Sequence, residues 1–214
     1  MSCPLLTSFG LNMSRLFSFL YLCCNQSTEA NMTSDNVVED ENIVKSPFAE
    51  LAKQITFPEI SLAKFIFQAL KLNEKWNGDT PALIDAVQNK AILFKEIEPL
   101  SRKFATSLSK LGFQKGDVLY YVTYNASLLY VLQFGVWLCG GAVRGCFQTE
   151  EKEELERQMH ETKCCFILCD SETASTVKWA VERLDWPTQL MSIDGEVEGA
   201  KPVEDMVYKD DIQG

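Results

Sequence analysis

Apolar residues recur at helical spacing in two segments in the first half of the chain. Ser61 can cap the first predicted helix, which ends before Asn77. Its apolar residues are Leu62, Phe65, Ile66, Ala69, Leu70 and Leu72. The second helix carries a stripe formed by Ile97, Leu100, Phe104, Leu108 and Leu111, and Gly112 supplies its stop. Pro99 places the start of this helix near Glu98, with the proline in the first turn or at a kink.

Shorter apolar runs with β-branched and aromatic residues predict strands. The segments PALIDA (81–86) and 91–94 flank the turn-forming residues 88–90 and predict a β-hairpin. Four further strands are predicted from VLYYVTY (118–124), 142–147, CCFILCD (164–170) and 189–194.

Helical segments separate these four strands. Residues 128–139 are apolar on every side, which predicts a buried helix that Asn125 or Ser127 caps. A charged helix from about Glu150 to Thr162 has Leu155 and Met159 as its buried stripe, with Lys152–Glu156 and Glu153–Arg157 pairs on the wet face. A third helix is predicted over 173–184. Alternating strands and helices with short connections predict an α/β fold with a mostly parallel, doubly wound sheet.

Composition narrows the class of protein. Of 214 residues, 46% are hydrophobic and 23% are charged, as in a globular domain with a sizeable core. The formal charge of -10 comes from residues 148–214, which carry seventeen acids and seven bases. Such a surface argues against nucleic acid as a partner. The longest apolar helix is shorter than the roughly 20 residues that cross a bilayer, so no transmembrane segment is predicted.

The cysteines and the N-terminal segment favour a protein that stays in a reducing compartment. Five cysteines lie in or beside apolar runs and are interpreted as buried, reduced thiols: Cys139, Cys146, Cys164, Cys165 and Cys169. Residues 1–44 are predicted to be a disordered leader or arm, and 45–214 an ordered domain. The apolar run at 16–24 weakly imitates a signal peptide, but secretion is not expected.

Chemistry would be sought at the carboxyl ends of the parallel strands, in the loops after Tyr124, Phe147, Asp170 and Asp194. Asp170 and Asp194 are interpreted as capping or turn residues, and His160 as a surface residue. The sequence has no GxGxxG or GxxxxGK[ST] loop, and the isolated glycines, Gly135 among them, are interpreted as turn or packing positions. No residue is therefore assigned a catalytic, cofactor-binding or metal-binding role.

Several segments, in this order and spacing, resemble the N-terminal part of the adenylate-forming acyl- and aryl-CoA ligases, the family of 4-coumarate–CoA ligases and beetle luciferases. The segments are ISLAKFIFQAL (60–70), GDTPALIDA (78–86), LSRKFATSLSKLGFQKGDV (100–118), LLYVLQFGVWLCGGAV (128–143), EELERQM (153–159) and CFILCD (165–170). The resemblance implies an incomplete N-terminal portion of the adenylate-forming fold. In complete members it implies ATP, Mg and coenzyme A as cofactors, a carboxylic acid substrate, and a cytoplasmic or peroxisomal location.

The same resemblance identifies departures from the family pattern. The Ser/Thr/Gly-rich phosphate loop of the family would begin after Gly214, so we expect this chain to lack adenylation activity by itself and to need no cofactor. The family's helix cap is lost where this chain has Leu93-Phe94. A loop differs from the family pattern where it has Phe147-Gln148. Arg144 lies in a strand that should be apolar, so its side chain needs a polar partner or a solvent-exposed edge.

Three functions are compatible with the sequence. The first is a fragment of an ATP-dependent carboxylate–CoA ligase. The second is a non-catalytic interaction or regulatory module of the same origin, for which self-association through uncovered core surface is expected. The third is a redox or zinc protein that uses the cysteines.

Overall fold

A five-stranded sheet organises the molecule. The computed structural model describes residues 47–48, 53–54, 56, 58–86, 88–124 and 126–209, with side chains given outside 73–77, and all elements below belong to the unit Phe57–Gly214. The predicted leader, residues 1–44, lies outside the described residues. The strands are β3 (Val118–Val122), β4 (Ala142–Gly145), β5 (Phe166–Cys169), β6 (Gln189–Ser192) and β7 (Lys201–Pro202).

All neighbours in this sheet are parallel, and their order is β4-β3-β5-β6-β7. The chain moves outward from β3 to β4, returns to place β5 on the other side of β3, and continues to β7. This is the order of a doubly wound sheet with its reversal between β3 and β5. The predicted α/β class and parallel sheet are confirmed.

Helices cover both faces of the sheet, and the burial of β5 reflects this. All four β5 residues are buried. Ile167 and Cys169 pack in one cluster with residues of α4 (Lys152–Thr162) and α5 (Ala174–Val181). Phe166 projects to the opposite face, where its ring centroid lies 4.9 Å from that of Phe113.

The predicted hairpin is confirmed. β1 (Pro81–Asp85) and β2 (Lys90–Leu93) pair antiparallel, and Asn89 in the connection takes a left-handed φ of 51°. The Asp85 carboxylate accepts a hydrogen bond from the Gln88 backbone N–H at 2.9 Å, which closes the turn.

The first helix, α1 (Leu62–Asn77), begins where the sequence predicts, one residue after Ser61. The Ser61 hydroxyl accepts a hydrogen bond from the Lys64 backbone N–H at 3.3 Å. Its buried stripe differs in part from the prediction: Ala63, Ile66, Phe67 and Leu70 are buried, whereas Leu72 is 75% exposed.

The second helix, α2 (Phe94–Lys110), begins about four residues before the predicted start. Pro99 therefore lies inside the helix rather than in its first turn. Leu93 offers no side-chain cap, but the Glu96 carboxylate accepts the Leu93 backbone N–H at 2.8 Å. This reverse half of a capping box stabilises the earlier start, a signal that the proline obscures in the sequence.

The third helix, α3 (Ser127–Leu138), lies against α2 and is largely buried, as predicted. Ala126 is the N-cap residue and Ser127 is already helical, so the prediction of Ser127 as a cap is wrong. The alternative cap, Asn125, lies outside the described residues. Gly135 allows close packing of α3 on α2, because a Cβ atom there would lie 2.7 Å from Phe104 Cδ1.

The charged helix α4 buries Leu155, Met159 and Gln158. The two predicted ion pairs are replaced by others: Arg157 pairs with Glu154 at 2.6 Å and also with Glu161. Arg144 is exposed on the edge strand β4, and its guanidinium Nη2 donates to Gln158 Oε1 at 3.4 Å. Arg144 therefore has both a hydrogen-bond partner and a solvent-exposed position, and the sequence requires one of the two.

A short helix, α6 (Val203–Tyr208), follows β7 and returns to α2. The buried Ser107 hydroxyl of α2 donates to the Met206 backbone carbonyl at 3.1 Å. This contact joins segments 99 residues apart in sequence, and it brings Glu204 and Tyr208 to the carboxyl edge of the sheet.

Candidate functional site at the carboxyl edge of the sheet

The carboxyl ends of β3 and β5 adjoin at the point where the strand order reverses. In doubly wound sheets this point opens the crevice in which ligands bind. Here the backbone N–H of Tyr124, after β3, donates to Asp170 Oδ2, after β5, at 2.8 Å. Two of the loops that the sequence selects are therefore in direct contact.

Asp170 is only 4% exposed, and hydrogen bonds satisfy its carboxylate. Besides Tyr124, the Thr173 backbone N–H donates to Oδ1 at 2.8 Å. Thr173 also places its hydroxyl 2.7 Å from the Val122 carbonyl oxygen. Asp170 thus closes the turn that leads into α5, whose N-cap residue is Thr173, and ties this turn to the end of β3. Of the predicted capping and turn roles, Asp170 therefore has the turn role.

The ionisation of Asp170 follows from these contacts. Burial raises the pKa of the carboxyl group, but the hydrogen bonds from Tyr124 and Thr173 outweigh burial and lower it below its ordinary value. The group is a buried anion held by donors, and no reactive partner faces it among the hydrogen-bond partners described.

The loop after β4 joins the same network. The Gln148 side-chain amide donates to the Thr123 backbone carbonyl, and the Thr123 hydroxyl donates to the Tyr124 carbonyl at 3.1 Å. Phe147, next to Gln148, is 77% exposed. Phe147 and Gln148 are the residues at which this loop departs from the family pattern. Gln148 makes one contact inside the crevice, whereas Phe147 places an apolar side chain outside it.

A cavity of about 340 Å³, the hairpin cavity, lies beside this network. It is enclosed by the β1–β2 hairpin, the start of α3, the loop after β6 and α6. Its polar lining includes Asp85, Gln88, Lys90, Ser127, Asp194 and Glu204.

Asp194 lies in this cavity wall and is not a cap. It takes a left-handed φ of 55°, and its carboxylate accepts a hydrogen bond from the Gln88 side chain of the hairpin. Of the predicted capping and turn roles, Asp194 therefore has the turn role, and its side chain also joins segments 106 residues apart.

A second cavity, the outer cavity, also of about 340 Å³, shares Asp85, Ala126 and Ser127 with the hairpin cavity. Asp85 is the one charged residue of its lining, which includes Leu83, Ile84 and Tyr130. The two cavities together form one concave region around the start of α3.

The charge of the hairpin cavity is negative. Asp85, Asp194 and Glu204 line it, against one lysine, Lys90. Burial, together with Glu96 and Glu204, raises the pKa of the adjoining Tyr208 hydroxyl, so this group stays protonated at neutral pH. Such a lining favours cationic or neutral groups over a phosphate.

Among the described residues, no hydrogen bond joins a serine or cysteine of the cavity walls to a histidine. His160 is exposed on α4 and stacks edge-on against Trp186, at 5.1 Å between ring centroids, as expected of a surface residue.

The cysteines described here are free thiols, of which Cys164 and Cys169 are fully buried and the others half-buried. Burial raises the pKa of Cys164 and of Cys169 to about 11. Within the described ranges no three His, Cys, Asp or Glu residues are grouped so that they could hold a metal ion.

Sequence reasoning missed Gln88, Lys90, Glu204 and Tyr208 as members of this region. Their positions depend on contacts between distant segments, the Gln88–Asp194 hydrogen bond and the return of α6 to α2. The sequence carries no local motif for either contact. In the part of the chain that the structure describes, no helix has the length and apolar character needed to span a bilayer.

Known proteins resemble this chain in sequence and in fold. The chain is 24% identical over 185 residues to 4-coumarate–CoA ligase-like 1 of Arabidopsis thaliana, which covers 86% of this chain and 32% of the relative. Among solved structures, a red-emitting luciferase from Phrixothrix hirtus superposes with a TM-score of 0.62 at 20% identity, covering 75% of this chain and 38% of the luciferase. A benzoate CoA ligase from Burkholderia xenovorans gives 0.59 at 19% identity, covering 69% and 28%.

This chain therefore spans about a third of the length of the relatives that it matches. The structural likeness agrees with the fold expected from the resemblance. The model of the AMP-binding enzyme family matches residues 71–211, about two thirds of the chain. The chain belongs to the AMP-binding enzyme family.

Proposed function

We propose that this chain supplies the N-terminal sheet of an ATP-dependent carboxylate–CoA ligase. The family match over 71–211 carries the proposal, and the similarity to a 4-coumarate–CoA ligase-like protein supports it. In complete enzymes of this kind, ATP with Mg activates a carboxylic acid to an acyl-adenylate, and coenzyme A then accepts the acyl group. The matched neighbours include a benzoate CoA ligase, so an aromatic acid is one substrate class, with fatty acids as the other.

The 214-residue chain by itself is proposed to be inactive in adenylation. Displacement of pyrophosphate relies on positioned cations and backbone donors around the phosphates. The hairpin cavity does not fit a triphosphate, because three carboxylates line it against Lys90. The cofactors ATP, Mg and coenzyme A accordingly belong to the complete enzyme.

Two measurements test the proposal. ATP–pyrophosphate exchange by the purified chain, with a panel of aromatic and fatty acids, is expected to equal the enzyme-free rate. A chimera in which this chain replaces the matched segment of 4-coumarate–CoA ligase-like 1 is expected to form acyl-CoA. Robust exchange by the chain alone would refute its inactivity, and a folded chimera without activity would refute the ligase assignment.

The proposal extends to the domain boundaries and the location of the protein. We propose that residues 45–214 form the partial ligase domain and that residues 1–44 form an arm that precedes it. The location is cytoplasmic or peroxisomal, as for the family, and tagged full-length protein observed in cells tests this directly.

A second candidate is a non-catalytic interaction module. The observation in its favour is the exposure of large apolar side chains near the carboxyl edge, including Ile84 at 69% and Phe147 at 77%. A partner that copurifies at a fixed stoichiometry, and is lost when these side chains are replaced, distinguishes this function from aggregation.

A further inference from the structure

Positive charge is concentrated on two helices of this acidic protein. The helices α1 and α2 together contain seven Lys and Arg residues and three Asp and Glu residues, whereas the whole chain has a net charge of -10. The two helices lie antiparallel, side by side: Lys71 pairs with Glu98 at 3.1 Å, and the Arg102 guanidinium lies 5.8 Å from the centroid of the Phe67 ring. Their positive charges therefore share one surface of the molecule.

Three lysines of these helices are without an electrostatic partner. Lys64 of α1 and Lys110 of α2 are exposed, and Lys103 of α2 is half-buried. Within the part of the chain that the structure describes, the ammonium groups of these three lysines form no ion pair and no hydrogen bond. We call this pair of helices, with its three unpaired lysines, the basic face.

The neighbouring carboxylates do not cancel the charge of the basic face. Glu96 accepts a backbone N–H at the start of α2, and Glu98 pairs with Lys71 and Arg102. Glu59, which precedes α1, is exposed. The unpaired lysines thus outnumber this carboxylate, and the basic face attracts anions.

An exposed leucine lies among the polar side chains of α1. Leu72 is 75% exposed, and it follows Lys64 and Gln68 at intervals of four residues, so these three side chains lie on one side of the helix. The buried residues of α1 lie on its other side, so packing within the domain does not account for Leu72. A helix that presents lysines together with an exposed apolar side chain suits the headgroup layer of a bilayer, where the lysines meet lipid phosphates and the apolar group enters the acyl boundary.

We propose that the basic face binds the surface of an anionic lipid bilayer. Each Lys near such a surface strengthens binding by about fivefold, so three unpaired lysines and one inserted leucine give reversible, salt-dependent binding. The proposal concerns where the protein is held and is independent of the proposed ligase function.

The acidic part of the molecule does not oppose this orientation. The chain that leaves α2 reaches Phe113, which packs on Phe166 on the face of the sheet opposite to the acidic helix α4. A helix with its side chains is about 10 Å across, so the charges of α4 lie beyond the screening length of about 8 Å at physiological ionic strength. With the basic face toward the bilayer, the acidic helix faces away from it.

Other anionic partners fit the basic face less well. Both cavities described above lie at the carboxyl edge, and no residue of α1 or α2 lines either of them. An acidic polypeptide is usually held in a groove or at a sheet edge, whereas a bilayer presents a broad surface to exposed helices. A nucleic acid would contact the lysines but leave Leu72 in water.

Cosedimentation of the full 214-residue chain with lipid vesicles tests the proposal. We expect binding to vesicles of phosphatidylcholine and phosphatidylserine at about 3:1, weak binding to phosphatidylcholine alone, and release as the salt concentration rises. The double variant Lys64→Gln and Lys110→Gln should weaken binding by at least about tenfold. Lys178→Gln with Lys201→Gln, on α5 and β7, removes the same charge elsewhere and should change binding by less than about twofold.

A second pair of variants tests the apolar contact. Leu72→Ser should weaken vesicle binding by about fivefold or more, because an inserted side chain is lost. Phe147→Ser is the matched control, since Phe147 is 77% exposed but lies at the carboxyl edge, and its binding should stay within about twofold. Thermal unfolding of each variant shows that the folded state is retained.

Four results would overturn the proposal. The first is no binding to the phosphatidylserine vesicles, and the second is equal binding to phosphatidylcholine alone. The third is an equal loss of binding in a variant pair and its control. The fourth is binding of soluble polyglutamate, or self-association, that Lys64→Gln with Lys110→Gln abolishes while vesicles are not bound, which would assign the basic face to an acidic polypeptide or to a second copy.

Discussion

At the scale of single residues, Asp170 is the side chain on which the geometry of the carboxyl edge depends. Its two oxygens hold the backbone N–H groups of Tyr124 and Thr173, which belong to different loops. Replacing it leaves two donors without their acceptor, one of them buried and the other partly buried. The crevice at the strand reversal therefore depends on one carboxylate.

We expect Asp170→Ala to lower the free energy of unfolding by about 2–4 kcal/mol, because the buried Thr173 N–H and the partly buried Tyr124 N–H lose their acceptor. Asp117→Ala is the control: its carboxylate also accepts a backbone N–H, from Gln114 at 2.7 Å, but at an exposed site. The control should cost less than about 1 kcal/mol. Urea denaturation of both variants makes the comparison, and equal losses would contradict the role of Asp170.

The pH dependence follows from the lowered pKa of Asp170. A depressed pKa gives stability that is complete above the ordinary pKa near 3.8 and is lost as the pH falls through the lower folded-state value. Asp170→Asn removes this ionisation, so its unfolding free energy should depend less on pH in that acidic range. Parallel curves for the two proteins would show that Asp170 does not titrate with folding.

The cysteines give a third prediction at this scale. Cys164 and Cys169 are fully buried with raised pKa values, whereas Cys165 is half-buried. At about pH 8, iodoacetamide should modify Cys165 at least about tenfold faster than either neighbour, because only an accessible thiolate reacts. Peptide mapping by mass spectrometry measures the three rates. The difference should vanish in denaturant, and similar rates in the native protein would contradict the burial.

At the scale of elements, the packing of α3 on α2 depends on Gly135. A Cβ atom at this position would lie 2.7 Å from Phe104 Cδ1 and 2.9 Å from the Ser101 backbone oxygen. The backbone oxygen cannot move independently of α2, so the two helices would have to separate. The sequence interpretation of Gly135 as a packing position is therefore confirmed.

Gly135→Ala should destabilise the protein by about 1–3 kcal/mol through overpacking, even though alanine favours a helix by about 1 kcal/mol over glycine. Gln68→Ala, an exposed position of α1, should change stability by less than about 0.5 kcal/mol. Chemical denaturation followed by circular dichroism measures both. A neutral or stabilising Gly135→Ala would mean that the helix contact is looser than described.

The elements also show how far the sequence determines the fold. Periodicity located the strands β1 to β6 and the helices α1 to α5, because apolar spacing reports burial on one or both faces, but it did not locate β7 and α6. It misplaced the start of α2, where the Glu96 contact to Leu93 allows helix before Pro99. It also did not predict the contact of Asp194 with Gln88 or the position of Glu204, since both depend on segments far away in sequence.

At the scale of the whole molecule, stability should decrease from the centre of the sheet to its edges. β5 lies between β3 and β6, and its four residues are buried. β4 lies at one edge with exposed Ala142, Arg144 and Gly145, and β7 at the other edge has only two residues. The central strand is thus covered from both sides, whereas each edge strand has one neighbour.

Native-state hydrogen exchange tests this order. The amides of Ile167 and Leu168 are expected to exchange only through global unfolding, because β5 cannot open without disrupting both neighbours. The amide of Cys146, which directly follows β4 and donates to the Tyr121 carbonyl of β3, should exchange through smaller local openings, at least about 1–2 kcal/mol below the global value. The free energy from denaturant unfolding is the reference. Equal protection of β4 and β5 would contradict an open edge at β4 and would point instead to a contact that covers this strand in solution.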